Sequence, residues 1–296
     1  MNNQTDTRKG YVLGLIAYGV WGMFPLYFKS LDSVAPMEVV TQRIIWSALF
    51  GALLLLVCHH PGWLRDLFVY PRRFLALVIT GTLIATNWLT YVWAVHNDQM
   101  VEASLGYYIN PLVNVLLAML FLRERLRRTQ WFALGLAAIG VLIQVVQLGK
   151  VPWIALILAM TFGLYGLIRK QAPVAALPGL VMESWILVPA ALAWLWLTPD
   201  VLASQPEYWW SGEMWWLALA GPLTLLPLLA FNGAAKRLPY TSIAFLQYLT
   251  PTMLLLFAVL YFGEAFTAST ALSFAFIWAG LVVYSLDAVR ILRRSR

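Results

Sequence analysis

Charged residues are scarce in this chain of 296 residues, since Asp, Glu, Lys and Arg make up 11% of it and hydrophobic residues 61%. A soluble domain carries about 25% charged residues, so water cannot be the solvent for most of this surface. Cysteine is scarcer still, because Cys58 stands alone. A single cysteine excludes an internal disulfide and a thiolate cluster for a metal. We expect Cys58 to be a small buried residue near a helix end.

Other absences limit the chemistry. The three histidines, His59, His60 and His96, are too dispersed to form a metal site. The chain has no Gly-x-x-x-x-Gly-Lys phosphate loop, so ATP-driven transport is unsupported. Its few ionisable residues cannot be grouped into a nucleophile, a base and an orienting group. We therefore expect no enzymatic activity, no metal and no cofactor.

Long apolar runs are what the chain has instead. A helix needs about 20 apolar residues to cross the hydrocarbon layer, and ten segments qualify. They are 10–28, 36–58, 74–95, 102–122, 129–148, 152–168, 177–197, 214–234, 240–262 and 269–289. The sequence therefore predicts an all-α integral membrane protein with ten transmembrane helices in a lipid bilayer.

The basic residues follow the order of these spans. If the N-terminus is inside, only Lys29 and Lys150 of the 20 Lys and Arg residues fall outside, and Arg43 lies within a span. All the others fall inside, in short tracts between apolar runs, which is the pattern of topology signals. The net charge of +7 is therefore no indication of a nucleic-acid partner. We predict a multi-pass protein of a bacterial-type inner membrane with both termini in the cytoplasm.

A motif recurs in the two halves of the chain. Tyr108-Ile109-Asn110-Pro111 leads to Glu124, and 140 residues later Tyr248-Leu249-Thr250-Pro251 leads to Glu264. Further matches are Trp21-Gly22 with Phe162-Gly163, Gly81 with Gly221, and Gly140 with Gly280. Because each half holds five spans, the second half enters the membrane from the opposite face. We predict two inverted five-helix repeats, 1–148 and 149–296, which is typical of alternating access; a duplication retained for packing alone is the alternative.

Three prolines within the spans are candidates for kinks or gates: Pro25, Pro111 and Pro251. Proline removes a backbone donor and frees a carbonyl. Within lipid, that is tolerated only where neighbouring groups or cavity water satisfy the freed carbonyl. The alternative for any one of them is a kink that serves packing only.

Two charged residues, Arg43 and Glu183, lie deep inside spans, whereas Glu38, Glu102 and Asp287 lie near span ends. Arg43 at such depth costs about 2.5–3.5 kcal/mol on insertion scales, so it should face a cavity or an acidic partner. It is either a contact for a substrate carboxylate or part of a structural ion pair or helix-tying hydrogen bond. Glu183 is either a protonatable carrier or a glutamate that snorkels from a helix start.

Neutral polar and aromatic residues inside spans are candidates for a cavity lining. They are Asn87, Trp88, Tyr91, Tyr108, Asn110, Gln247 and Tyr248. Amides and phenols in a span either join helices or line a pathway. A lining of rings and amides would suit an amphipathic small-molecule substrate.

Several motifs spread over the whole chain can be compared with a known family. They are Tyr18-Gly19-Val20-Trp21-Gly22, Gln42-Arg43-Ile44-Ile45-Trp46-Ser47, Glu102-Ala103-Ser104-Leu105-Gly106-Tyr107-Tyr108-Ile109-Asn110-Pro111-Leu112 and Phe245-Leu246-Gln247-Tyr248. These motifs resemble the EamA group of the drug/metabolite transporter superfamily, and within it the RarD branch. The resemblance implies a ten-helix permease with two inverted repeats around a central cavity, exporting small organic solutes by alternating access.

The chain departs from the superfamily in one respect. Small multidrug exporters of the superfamily use a glutamate in the first span, and 11–28 contains no acidic residue. This excludes proton coupling through that position and leaves Glu183 or an uncoupled facilitator. Metabolites such as amino acids, or amphenicol-like drugs, are the expected solutes. A non-transporting scaffold or sensor and a lipid-head-group flippase are the alternatives; a monomer suffices, and a dimer is left open.

Overall fold

The computed structural model describes residues 3–31, 33–58, 71–97, 99–198, 201, 210–261 and 267–294. Within them the secondary structure is helical, without strands. The helices are α1 (Asn3–Gly22), α2 (Phe24–Lys29), α3 (Pro36–Val57), α4 (Pro71–His96), α5 (Met100–Phe121), α6 (Arg128–Leu148), α7 (Trp153–Gln171), α8 (Ala176–Leu197), α9 (Gly212–Arg237), α10 (Tyr240–Gln247), α11 (Leu249–Leu260) and α12 (Ala268–Arg294).

Ten stretches of the described residues are long and apolar enough to cross a membrane. Helices α1 and α2 together form the first span, Thr5–Lys29, and α10 and α11 form the ninth, Tyr240–Leu260. The predicted all-α membrane architecture with ten spans is confirmed. An even number of crossings returns the chain to its starting side, so α1 begins and α12 ends at one face. We call it the terminal face and the opposite one the distal face.

The prolines interrupt the helices unequally. The first span breaks at Met23, and Pro25 lies in the first turn of α2, where a missing N–H costs least. The ninth span breaks at Tyr248, three residues before Pro251. Helix α5 continues through Pro111. Two of the three prolines thus accompany a break, and the role of all three in gating stays a prediction.

Close contacts between α6 and α12 relate the two halves of the chain. A Cβ atom added at Gly140 would lie 2.6 Å from the carbonyl oxygen of Ser273, and one added at Gly280 would lie 2.7 Å from that of Ala133. The two contacts are equivalent under the repeat, because Gly280 follows Gly140 by 140 positions and Ser273 follows Ala133 by the same number. Glycine is required at both places because the helices approach so closely.

A second pair of contacts repeats this exchange, between α1 and α11 and between α7 and α5. A Cβ at Gly22 would meet Met253 at 2.7 Å, and one at Gly163 would meet Val113 at 3.2 Å. The match of Gly22 with Gly163, seen in the sequence, is therefore also a match of packing partners. These contacts fit two inverted halves related by an internal two-fold axis. The bounds 1–148 and 149–296 stay a prediction.

One expectation about a single residue is wrong. Cys58 caps the C-terminus of α3 and is exposed rather than buried. At the end of α3, Leu56 is 74% exposed and Val57 65%, whereas Leu55 on the other side of the same turn is buried. His59, His60 and Glu264 lie outside the described residues, as does the side chain of His96.

Candidate functional site

A cavity of about 840 Å³ lies between the helices. Its lining comes from α1 to α5, α7 and α9 to α11, and no described residue of α6, α8 or α12 takes part. Residues at the distal ends of their helices, such as Lys29, Pro36 and Ala258, border the part of the cavity nearest the distal face. Tyr18 and Gln247 border the part nearest the terminal face. Gln247 lies seven residues into α10, or about 10 Å from the terminal end, so the cavity runs from mid-membrane to the distal face.

Arg43 from α3 enters this cavity. Its Nε donates a hydrogen bond to Thr224 Oγ1 on α9 at 2.5 Å. Its guanidinium carbon lies 4.4 Å from the ring centroid of Trp88 and 5.6 Å from that of Phe24. No described residue accepts a hydrogen bond from its two terminal amino groups, and no described carboxylate pairs with it. The helix-tying hydrogen bond is therefore present, and the outer edge of the guanidinium remains available to a ligand.

The predicted amides of the lining divide into two groups. Asn87 donates at 2.9 Å to both the Leu158 carbonyl and Thr161 Oγ1, and so joins α4 to α7. Gln247 Oε1 accepts from Asn114 Nδ2 at 2.7 Å. Asn110 differs, because its Oδ1 is buried without a partner among the described residues. Asn110 is therefore the amide best placed to accept a hydrogen bond from a solute.

The four predicted aromatic residues also divide. Trp88 and Tyr91 line the cavity. Tyr108 and Tyr248 do not, because Tyr108 packs edge-to-face on Phe274, 5.5 Å between centroids, and Tyr248 is buried. The cavity face of α5 carries Ser104, Tyr107 and Asn110 instead. These positions are three residues apart, so stepping back one helical turn from Asn110 would have found Tyr107.

Aromatic rings that were not predicted to line the cavity form much of its wall. Trp21 and Phe162, matching positions of the two halves, meet at 5.6 Å between ring centroids with an interplanar angle of 82°. Phe24 and Phe28 also line the cavity. The hydroxyl of Tyr18 lies at its base without a described partner. Of the three prolines, Pro25 lines the cavity, whereas Pro111 and Pro251 lie behind its lining.

Glu183 does not line this cavity. One carboxylate oxygen lies 3.5 Å from Nε of Arg169 and accepts a hydrogen bond from Thr80 at 2.5 Å. The other accepts from the hydroxyl of Tyr165 at 3.4 Å, and Arg169 also donates to Asn232 at 3.4 Å. Arg169 counted in the sequence as a topology signal, yet it is 1% exposed. These five residues form a buried polar group toward the terminal side, which we call the Arg169–Glu183 cluster. Glu183 itself lines a small void that shares Ile84, Trp88 and Leu228 with the cavity.

Further polar contacts close the terminal side. Glu124, after α5, accepts hydrogen bonds from the backbone N–H groups of Tyr240 at 2.6 Å and Thr241 at 3.0 Å, and so caps α10. The Tyr240 hydroxyl donates to the Gly163 carbonyl at 2.8 Å. Lys170 donates to the Leu238 carbonyl at 2.5 Å. Three of these four hydrogen bonds involve a charged group, and such charge-assisted bonds are stronger than neutral ones.

Comparison with known proteins gives consistent relatives. The model of the EamA-like transporter family matches residues 8–146. An uncharacterized transporter of Pseudomonas aeruginosa is 59% identical, with 98% of this chain and 97% of that protein aligned. Protein RarD of Escherichia coli is 42% identical over 98% of both chains. The chloramphenicol-sensitive protein RarD of Pseudomonas aeruginosa is 30% identical over 97% of both.

A solved structure has the same fold. It superposes with a TM-score of 0.70 at 20% sequence identity, covering 95% of this chain and 98% of that one. At 20% sequence identity this similarity supports the fold only.

Proposed function

Because this chain belongs to the EamA-like transporter family, in its RarD branch, we propose that it exports small organic solutes by alternating access. The chain is a membrane transporter, and its solute passes through the central cavity. The observation that carries the proposal is the shape of that cavity, which reaches the distal face and is closed toward the terminal face. A transporter in one of its two end states has such a shape.

The opposite end state requires the terminal side to open. We infer that the terminal side opens when α7 separates from α9, which breaks the Arg169–Asn232 contact of the cluster, and when the end of α5 separates from α10, which releases the Glu124 cap. The reciprocal packing of Gly22 and Gly163 supports a movement in which the two halves exchange conformations.

Counterflow in proteoliposomes tests transport. Vesicles containing the full-length chain are loaded with a panel of amino acids, related metabolites and amphenicols, and uptake of each labelled solute is measured. We expect exchange of at least one solute, and loss of that exchange in Arg43→Gln. Arg237→Gln is the matched control, because Arg237 pairs with Asp6 at the surface. Absence of flux over the whole panel would contradict the proposal.

The same vesicles separate the alternatives. A scaffold or sensor would show no flux, and Arg43→Gln would alter only stability. A flippase would move a fluorescent lipid between leaflets, so such a lipid belongs in the assay. Glu183 is tied to Arg169 and is not among the lining residues of the cavity, so we assign it to closure rather than to proton carriage. Flux that stops responding to a pH gradient in Glu183→Gln would reverse that assignment.

The remaining expectations concern the setting. We propose a bacterial inner membrane with both termini cytoplasmic, so that the distal face is periplasmic. A C-terminal fluorescent-protein fusion, which is bright only in the cytoplasm, tests the orientation. Since one chain encloses the whole cavity, we propose that the monomer transports, which the mass of the reconstituted particle can check.

A further inference from the structure

We propose that the cavity selects organic anions: a carboxylate on a planar apolar body, with no ammonium group to compensate it. This inference rests on the proposed transport function and narrows its substrate class. It follows from the charges, the geometry of Arg43 and the composition of the wall.

The charges of the described lining residues are of one sign. Lys29 and Arg43 are basic, and no described Asp or Glu lines the cavity. Lys29 lies near the distal mouth with its ammonium 5.3 Å from the ring centroid of Tyr261. Two cations beside low-dielectric walls attract anions and repel cations. A solute's own ammonium group would find no countercharge among the described lining residues.

Arg43 is oriented for a carboxylate. Thr224 occupies its Nε, and the ring of Trp88 supports one face of the guanidinium at 4.4 Å. The two terminal amino groups point away from that hydrogen bond and have no described acceptor. Their spacing matches the two oxygens of a carboxylate, which makes bidentate binding possible without rearranging the side chain.

The rest of the wall suits a flat apolar body. Rings of Trp21, Phe24, Phe28 and Phe162 face the cavity, and aromatic rings gain from edge or offset contacts with another flat group. Asn110 Oδ1 adds one unpaired acceptor. A neutral hydroxyl or amide N–H on the solute would satisfy it at a lower desolvation cost than an ammonium group.

Binding of matched probes tests the charge preference. The full-length chain in nanodiscs is titrated with 3-phenylpropanoate, 3-phenylpropanamide, phenylalanine and 2-phenylethylamine, which share a ring but are anionic, neutral, zwitterionic and cationic. We expect the anion to bind about 30-fold or more tighter than the amide, because two charge-assisted hydrogen bonds are lost without the carboxylate. Phenylalanine should be intermediate and the amine weakest.

Variants at the anchor test the geometry. Arg43→Gln should remove the preference for the anion over the amide. Arg43→Lys, which keeps the charge but not the planar pair of donors, should weaken the anion about tenfold. Thr224→Val leaves the charge intact and should weaken it about threefold or more, because Nε is no longer held. Arg237→Gln, remote from the cavity, should bind as the unmodified chain does, and each variant's melting temperature reports its folding.

The outcomes separate this inference from the proposed function. Phenylalanine or the amine binding as tightly as the anion, or no measurable anion binding, would overturn the anion preference even if counterflow of other solutes is observed. Anion binding that depends on Arg43 without any counterflow would uphold the preference while refuting transport. Equal anion affinity in Arg43→Gln and the unmodified chain would overturn the assigned anchor.

Discussion

Replacing Glu183 by Gln tests whether the Arg169–Glu183 cluster holds the terminal side closed. The substitution keeps the size of the side chain but removes its charge. Arg169 would then keep Asn232 at 3.4 Å and the Ala176 carbonyl at 3.0 Å as acceptors, while its NH1 group already lacks a described partner. Leaving a buried charge uncompensated costs about 3–5 kcal/mol. The Nε–carboxylate distance of 3.5 Å places the expected loss near the lower end.

Thermal unfolding in detergent measures this loss. About 3 kcal/mol corresponds to a melting temperature about 5–10 °C lower for a chain of this size. A double-mutant cycle with Arg169→Met isolates the pair, because removing both charges also removes the uncompensated one. We expect the double variant to recover about 2 kcal/mol or more relative to the sum of the single losses.

Ser184→Ala is the matched control. Ser184 follows Glu183 on α8, and its hydroxyl donates only to the Leu180 carbonyl of its own helix, at 3.1 Å. Its loss should change the melting temperature little. If Glu183→Gln behaves like Ser184→Ala, or if the losses of the two charge variants simply add, the pair does not stabilise this conformation and our account of closure fails.

Two further predictions concern packing and capping. Gly140→Val should lower the free energy of unfolding by about 2 kcal/mol or more, because its Cβ would lie 2.6 Å from the Ser273 carbonyl oxygen. Gly135→Ala, at a position where nothing lies within 4 Å, should leave stability unchanged or slightly raised. Equal melting temperatures for the two variants would contradict the close approach of α6 and α12. Glu124→Gln should lower the free energy of unfolding by about 1–2 kcal/mol, because it weakens the charge-assisted cap at Tyr240. Denaturant unfolding measures this loss, and an unchanged midpoint would refute the prediction.

Hydropathy and internal matches were sufficient to predict much of the fold. The ten spans follow from composition, because an apolar run of about 20 residues can cross lipid as a helix that satisfies its own backbone. The matched glycines, which the sequence offered only as part of the repeat, are also packing positions, because a Cβ at Gly140 or Gly280 would lie 2.6 or 2.7 Å from a carbonyl oxygen of the facing helix. Proline was a weaker guide. Pro25 accompanies a helix break and Pro111 does not. Whether a helix continues through a proline depends on the packing around it, which the presence of the proline in the sequence does not reveal.

The site was predictable where a residue had one strong constraint. Arg43 lies well inside a span, so its charge had to face the cavity or a partner. Arg169 was missed because it precedes Lys170 at a span end, where a basic residue usually snorkels to the interface. Tyr108 was chosen and Tyr107 overlooked for a different reason. Neighbouring residues on a helix point about 100° apart, so Tyr107, one turn before Asn110, shares the cavity face with it, and Tyr108 does not.

Helix α9 connects the cavity with the cluster that closes the terminal side. Thr224 holds Arg43, and eight residues further along, about 12 Å at the helical rise, Asn232 contacts Arg169. A solute that pulls the Arg43 guanidinium toward its carboxylate therefore acts on the same helix that supports Arg169. If α9 takes two arrangements in the transport cycle that we propose, the two sites influence each other in both directions. We expect Glu183→Gln to change the affinity for the anionic probe, although Glu183 does not line the cavity, and an unchanged affinity would show that α9 does not couple the two sites.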